Sequence, residues 1–380
     1  MDEVTRTIYI TTNAQCNLRC VYCYEDKIGN EVFDLEKAKA ALREELSHIT
    51  RGKTLISLHG GEPFLVFDKI KELCEWSWQQ AFPQKYEFFA TTNGTKIHGR
   101  IKQWLTDNKH RFVCGLSLDG TRDMQNLNRT NSFDFIDIDF FVYTWPNQVV
   151  KMTVSPLTIG SMSQGVIFLF SKGFNKVDVN LADMVDWSEW GYIKTYYQEL
   201  TKLSVYFKLH PNRMENCSLF SIDFNSLNSD LTKRRRWCNI GDEMNVYDVD
   251  GRKYPCHLFL ENVCGKDKSQ AWRTIDFNDP NEYIMGECCS CPIYPLCPTC
   301  YAANYIERGK IGLRDMNRCR LEKVRTLVVA KHQYEMLMSD NRSYDKLSQH
   351  EIRNRIGTLK AIEKIAPVLE EYQQMIDELR

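Results

Sequence analysis

No apolar run among the 380 residues approaches the length of a membrane span, and the first residues, MDEVTRT, have neither the charged start nor the apolar stretch of a secretory signal. No membrane is expected as a partner, and the chain reads as cytoplasmic. Net charge is lacking too: 49 Lys and Arg offset 50 Asp and Glu, and the basic residues are scattered apart from KRRRW (233–237). Without a basic face there is no electrostatic ground for expecting nucleic acid. Internal repeats and low-complexity tracts are also missing, so 43% apolar and 26% charged residues describe an ordinary globular chain, long enough for an enzyme.

Cysteine is abundant. Fifteen thiols in a reducing compartment are poor candidates for disulfides, and ten of them fall into two groups with tight spacing. Metal binding is the better reading. Cys74 in a helical pattern and Cys114 in a strand pattern read as small core residues.

Strand-length apolar runs alternate with amphipathic helix-length stretches. After TIYITT come TLISL (54–58), YEFFATT (86–92), FVCGLSL (112–118), VVKMTVS (149–155) and KVDVNLA (176–182). Six strand–helix units imply an α/β fold with a parallel sheet, a partial (β/α)6 TIM barrel over residues 1–210. A linker (211–236) leads to a cysteine-rich region (237–320) of hairpin character, with a turn at Asp250-Gly251. So loop-rich a region is expected to fold around its metals. A helical tail (321–380) follows, in which Pro367 either starts a helix or kinks one.

In such barrels chemistry sits at the carboxyl ends of the strands. The unusual residues recur there: Cys16, Cys20 and Cys23 after the first strand, HGGEP (59–63) after the second, TNGT (92–95) after the third and SLDG (117–120) at the end of the fourth. A zinc reading of the three cysteines needs a fourth nitrogen or sulfur ligand nearby, and the nearest, His59, is on another strand. Three thiolates on a four-iron cluster instead leave one iron open to a small chelating molecule.

Cys16, Cys20, Tyr22 and Cys23 match Cys-x3-Cys-x-aromatic-Cys, so the sequence resembles the radical S-adenosylmethionine (SAM) superfamily. The resemblance implies that SAM chelates the open iron and is cleaved reductively to a 5′-deoxyadenosyl radical. It implies that Gly60 and Gly61 let the backbone approach, that Glu62, ahead of Pro63, receives the SAM ammonium, and that Tyr22 packs against the cluster and adenine. By the same resemblance Asn93 and Ser117 hydrogen-bond ribose or the methionyl carboxylate, and Arg129 either pairs with that carboxylate or is a surface arginine. Ser155 and Leu181 lie where related enzymes contact ribose and adenine.

Cys238, Cys256, Cys288, Cys291, Cys297, Cys300 and Cys319 form a second series, Cys-x12-Gly-x4-Cys, Cys-x2-Cys-x5-Cys-x2-Cys and a final Cys. It is similar to the SPASM extension of radical SAM proteins, with one residue fewer between Cys297 and Cys300 than that family usually has. The resemblance implies two auxiliary [4Fe-4S] clusters, three in all: an outer one on Cys288, Cys291, Cys297 and Cys319, and an inner one on Cys238, Cys256 and Cys300. Cys217 could complete the inner set or be a free cysteine; otherwise substrate could bind that iron. Cys289 is the alternative to Cys288, and Cys264 reads as a bystander. Paired Cys-x2-Cys motifs also occur in zinc ribbons, which keeps a zinc reading open.

Auxiliary clusters suit a substrate radical that must lose a second electron. Such proteins are peptide maturases, which crosslink ribosomally made precursors through C–C, C–O or thioether bonds, or sulfatase maturases, which make formylglycine and carry Asp as base after the cysteine of the YPC hairpin. Here His257 stands in that place, as a base or as a cap of the hairpin. The peptide reading is preferred. A dehydrogenase of a small alcohol or sugar and a non-enzymatic electron carrier are the alternatives. Aromatic residues in DMVDWSEWGYIKTYY (183–197) either grip a peptide or fill a helix core. Fewer than ten residues precede the first strand, too few for a leader-binding module, so leader recognition is expected from a separate protein, the cysteine-rich region or the tail. The resemblance also implies an electron donor of flavodoxin or ferredoxin type.

Overall fold

Strands form where apolar and β-branched residues cluster, and along most of them buried side chains alternate with less covered ones. β1 (Val4–Asn13), β2 (Lys53–Gly60), β3 (Tyr86–Thr92), β4 (Phe112–Leu116), β5 (Val149–Val154) and β6 (Lys176–Leu181) alternate with helices α1 (Leu35–Leu46), α2 (Phe67–Trp78), α3 (Gly99–Asn108), α4 (Arg122–Asn128), α5 (Ile138–Thr144), α6 (Met162–Ser171) and α7 (Gly191–Leu209). The α/β alternation read from the sequence is present, and α4 is an addition to it. Next come α8 (Pro211–Met214), β7 (Met244–Tyr247), β8 (Lys253–Tyr254), α9 (Glu261–Ala271), α10 (Tyr301–Arg308), α11 (Met316–Ser339), α12 (Gln349–Lys364) and α13 (Ala366–Asp377). The computed structural model describes residues 3–27, 29–228, 236–339 and 347–379; the first three residues of KRRRW lie outside them.

The chain forms two compact units. The first comprises Met1–Thr153, Phe168–Lys176 and Cys238–Asn278. Its sheet runs β4-β3-β2-β1-β7-β8, parallel except for the last pair. Ile8 faces Ile56 and Ile10 faces Leu58 across the register, and all four are buried. Cys74 and Cys114 are buried in this core, as their patterns suggested. Each parallel strand ends on the same edge, so the loops after β1, β2, β3 and β4 share it.

The hairpin foreseen at Asp250-Gly251 is there, with Gly251 N–H donating to Asp248 O at 2.9 Å and φ +80° at Gly251. It also does something the local pattern did not announce: β7 pairs in parallel with β1, from Thr7↔Met244 to Ile10↔Tyr247. A buried carboxylate fastens it. Glu45 on α1 accepts from Tyr247 Oη (2.5 Å), Asn245 Nδ2 (2.9 Å) and Lys253 Nζ (3.1 Å) and pairs with Arg6. These bonds fix the segment carrying Cys256 onto the first unit.

The second unit comprises Val154–Ile167, Val177–Trp237 and Asp279–Arg380. α7 and α11 pack together through apolar faces that include Leu200, Leu203, Val324 and Leu327. Trp187 and Tyr196 of the aromatic stretch are buried, which makes most of it core, while Trp190 is exposed under the Arg320 guanidinium. Pro367 starts α13, separated from α12 at Ile365. The cysteine-rich region holds more helix than its hairpin pattern suggested. α10 buries Tyr301, Ala302, Ala303 and Asn304 and ends on Gly309 at φ +76°; α9 is interrupted by Gly265 at φ +78°, which hid its period.

Candidate metal and cofactor site

The loop after β1 carries Cys16, Cys20 and Cys23, and backbone hydrogen bonds hold it against the sheet edge. Glu62 N–H donates to Gln15 O at 2.8 Å, Val21 N–H to Asn128 O at 3.0 Å and Cys23 N–H to Cys20 O at 3.1 Å. Cys16 and Cys20 lie close enough to couple electrostatically, as do Cys20 and Cys23, so the three thiols share one neighbourhood. Burial pushes the Cys16 thiol up to about 11 and raises that of Cys20, while the Lys27 and Arg129 cations pull the other way. Loading metal here must release protons. Among the described residues no three His, Cys, Asp or Glu side chains form a ready single-ion cage.

The HGGEP turn follows β2 and passes under this loop. A side chain at Gly61 would put its Cβ 2.2 Å from Gln15 O, and one at Gly60, where φ is +145°, would meet Asn13 O at 2.3 Å. Both glycines are required by backbone approach. Gly61→Ala is therefore expected to cost about 1–3 kcal/mol by overpacking and to lower iron uptake by displacing the Cys16 segment. A melting curve and an iron assay check it; an unchanged melting temperature with full iron would contradict the clash.

Glu62 is buried, and its carboxylate is aimed by Thr92 Oγ1 (2.8 Å) and Phe64 N–H (3.2 Å) on one oxygen and Asn93 N–H (2.9 Å) on the other. Burial raises its pKa, and these donors together with Arg129 oppose the rise. The TNGT turn thus serves first to hold Glu62. The Asn93 side chain donates to Asn17 Oδ1 at 3.1 Å and lies 3.9 Å from Cys16 Sγ. Pro63 begins the short 3-10 turn that follows.

Asp119, in SLDG, ties the edge together. It is wholly buried and accepts from Tyr22 Oη (2.5 Å), Asn128 Nδ2 (3.1 Å) and Thr153 N–H (2.9 Å), and its carboxylate pairs with Arg129 at 2.9 Å. Arg129 also lies over the Tyr22 ring, 5.4 Å from its centroid. It is not a surface arginine: it is 8% exposed. Ser117 is buried and forms a bridge with Lys151 of β5. Asp119 lies inside SLDG and Asn128 precedes Arg129, and only their partners reveal their part.

A second cluster in the same unit surrounds His257. Its Nε2 is 3.2 Å from Tyr24 Oη, its ring centroid 4.5 Å from that of His59, and its Nδ1 4.0 Å from Cys256 Sγ. His59 Nε2 lies 3.2 Å from Glu25 Oε1. Burial lowers the His257 pKa well below the ordinary imidazole value, helped by the nearby His59 and Lys151, which disfavours the charged form of the ring. Cys238 and Cys256 act electrostatically on each other and on Tyr9, so these two thiols also meet within the first unit. Cys264 donates to Leu260 O.

In the second unit Cys288, Cys291, Cys297 and Cys319 form one electrostatic group. Burial pushes Cys297 up to about 12. Cys297, Cys300 and Cys319 line one cavity with Arg314. Tyr372 of α13 joins them: it is buried, and the charges of Cys291, Cys319 and Cys297 act on it. Cys289 is exposed. Cys217 is fully buried beside Val177, among Arg325 and Asp178, with its thiol up to about 12. Ser155 and Leu181 belong to this unit, both buried, with Ser155 N–H donating to Thr158 Oγ1 at 3.1 Å.

Residues 10–136 match the Radical SAM superfamily. A cysteine-type anaerobic sulfatase-maturating enzyme of Clostridium perfringens is 32% identical over 126 residues, 30% of this chain and 32% of that protein. An uncharacterized protein of Methanocaldococcus jannaschii is 29% identical over 120 residues, 32% of this chain and 40% of that one. The matched stretches thus span a third to two-fifths of these relatives. Among solved structures, anSMEcpe with bound AdoMet and the Cp18Cys peptide aligns with TM-score 0.64 at 19% identity, over 87% of this chain and 97% of that one. Streptococcus suis SuiB bound to its precursor peptide SuiA aligns with TM-score 0.52 at 16% identity, over 83% and 76%. These likenesses extend to the fold of nearly the whole chain.

Proposed function

We propose that this chain, which carries a radical SAM superfamily domain over residues 10–136, is a peptide maturase that abstracts hydrogen from a ribosomally made precursor and installs a crosslink. The observation that carries the reading is the meeting, at one sheet edge, of Cys16, Cys20 and Cys23 with the Gly60-Gly61 cradle and the buried Glu62. The thiols suit a four-iron cluster, and two residues without side chains beside a fixed carboxylate suit a cationic amine held against backbone. When bound, cluster and SAM supply a 5′-deoxyadenosyl radical that removes hydrogen from an unactivated carbon.

The chain's own residues do the rest. Cys16, Cys20 and Cys23 hold the cluster; Glu62 receives the SAM ammonium, and Asn93, Ser117 and Arg129 orient the remainder, with Tyr22 packed alongside and Ser155 and Leu181 towards ribose and adenine. Oxidation of a substrate radical releases one proton and one electron. His257, 3.2 Å from Tyr24 Oη and with its ring 4.5 Å from that of His59, takes the proton. Cys288, Cys291, Cys297 and Cys319 would hold an outer auxiliary cluster, and Cys238, Cys256 and Cys300 an inner one that Cys217 either completes or leaves open; such clusters would supply an acceptor for the electron. The barrel (1–210), linker (211–236), SPASM region (237–320) and tail (321–380) are the proposed divisions, and the proposed partners are a precursor peptide, a separate leader-binding protein and a flavodoxin- or ferredoxin-type donor.

SuiB was solved with a precursor peptide, which supports a peptide substrate. The likeness to the Clostridium perfringens sulfatase-maturating enzyme favours a second reading, formylglycine formation; His257 in place of the expected Asp speaks against it. Reduced enzyme, SAM and peptides encoded beside the gene test both. Loss of two hydrogen atoms with no aldehyde supports crosslinking, a hydrazide-reactive aldehyde supports formylglycine, and no mass change in any peptide overturns both. Anaerobic reconstitution is expected to give about twelve irons per chain, three clusters of four; about four would remove the auxiliary clusters.

A further inference from the structure

The structure assigns to Arg314 the task of holding the outer auxiliary cluster ready to accept an electron, by donating to its sulfur from a buried guanidinium. The inference rests on the proposed ligand set Cys288, Cys291, Cys297 and Cys319. Arg314 is 7% exposed, and its Nη1 donates to Cys297 O at 2.7 Å. Its face lies over the Tyr294 ring, 4.6 Å from the centroid. Its Nε and Nη2, both buried, find no acceptor of good geometry among the described residues, although the Tyr294 hydroxyl lies close enough to the guanidinium to interact with it.

The arginines around the same cavity behave differently. Arg308 pairs with Glu307 at 2.9 Å and Arg318 approaches Asp183 at 3.9 Å. Arg314 has no carboxylate partner among the described residues, although it is the more deeply fixed. A buried cation with two idle donors is costly unless an anion completes it. It lines the cavity that Cys297 and Cys319 open into, and the groups that act on it electrostatically include Cys297 and Cys288, two of the four proposed ligands, beside Tyr294 and Tyr301. A four-iron cluster on four thiolates is anionic and gains one negative charge on reduction, and hydrogen bonds to its sulfurs raise its potential. A fixed cation at that spot favours the reduced form. Arg314 is therefore a positioning residue, acting on the substrate only through the cluster.

The test is an EPR-monitored redox titration of reconstituted full-length protein, with Cys319→Ala identifying the outer cluster's signal. Arg314→Gln is expected to keep its iron and to lower the outer midpoint potential by at least about 59 mV, a tenfold change in a one-electron equilibrium. Arg314→Lys, which keeps the charge without the fork, is expected to fall between. Full iron with an unchanged potential in Arg314→Gln overturns the inference and leaves the ligand set standing. If Arg314→Gln loses the cluster, Arg314→Lys decides: a lowered potential supports the inference, and an unchanged potential or loss of the cluster overturns it. Wild-type protein whose iron and signals are unaffected by Cys319→Ala overturns the ligand set itself, and the inference with it.

Discussion

Single replacement of Cys16, Cys20 or Cys23 by alanine is expected to cut 5′-deoxyadenosine formation by at least about a hundredfold while leaving the fold intact. Removing even an outer-shell partner of a metal typically costs ten- to a hundredfold, and each of these thiols is proposed as a direct ligand. The fold should survive because no large apolar side chain is lost. Cys23 is exposed and Cys16 and Cys20 are half-buried, while the loop is held by backbone bonds to Gln15, Asn128 and Cys20 carbonyls. Burial already keeps the Cys16 and Cys20 thiols protonated without metal, so an alanine exchanges one neutral group for another. Deoxyadenosine quantified from reduced protein with SAM, beside circular dichroism of the same samples, gives the comparison. Cleavage within a few fold of wild type in any of the three would remove that thiol from the ligand set.

Much of this frame is legible in the sequence because it is local. YEFFATT becomes β3 over the very residues of the run, with Phe88, Ala90 and Thr92 buried and the residues between them partly covered, since a short apolar stretch between turn residues is best buried as a strand in a covered sheet. Asp250-Gly251 makes its hairpin because Gly251 supplies a positive φ. Pairings between distant segments could not be read that way. Nothing in MNVY says that it will lie beside β1, and nothing local marks Glu45 as the acid that fastens it. In the site, cysteine spacing and the paired glycines announce themselves through scarce residue types. Asp119, His59 and Arg314 are ordinary residues whose meaning lies in their partners, and those come from elsewhere in the chain.

Asp119→Ala is expected to destabilise the first unit by about 3–5 kcal/mol, the range for breaking a buried ion pair from one side. Its carboxylate is fully enclosed and satisfies four groups, among them Arg129. With alanine in place the guanidinium stays buried beside Tyr22 without a counterion, and the Thr153 amide and Asn128 side chain each lose an acceptor. The stranded charge is the largest part, which gives the prediction an internal check. Arg129→Met in the Asp119→Ala background should recover part of the loss, because a similar apolar volume removes the unpaired cation, and the two effects should be non-additive. Asp119→Asn, which keeps acceptor and shape but not charge, should lie between. Urea unfolding of the metal-free protein reads the first unit's transition. A loss under about 1 kcal/mol would put the pair in the regime of solvent-screened surface bridges and refute its buried role. Since Asp119 also holds Tyr22, which sits between two of the cysteines, the same variant should take up less iron, joining the stability of this edge to the occupancy of its metal site.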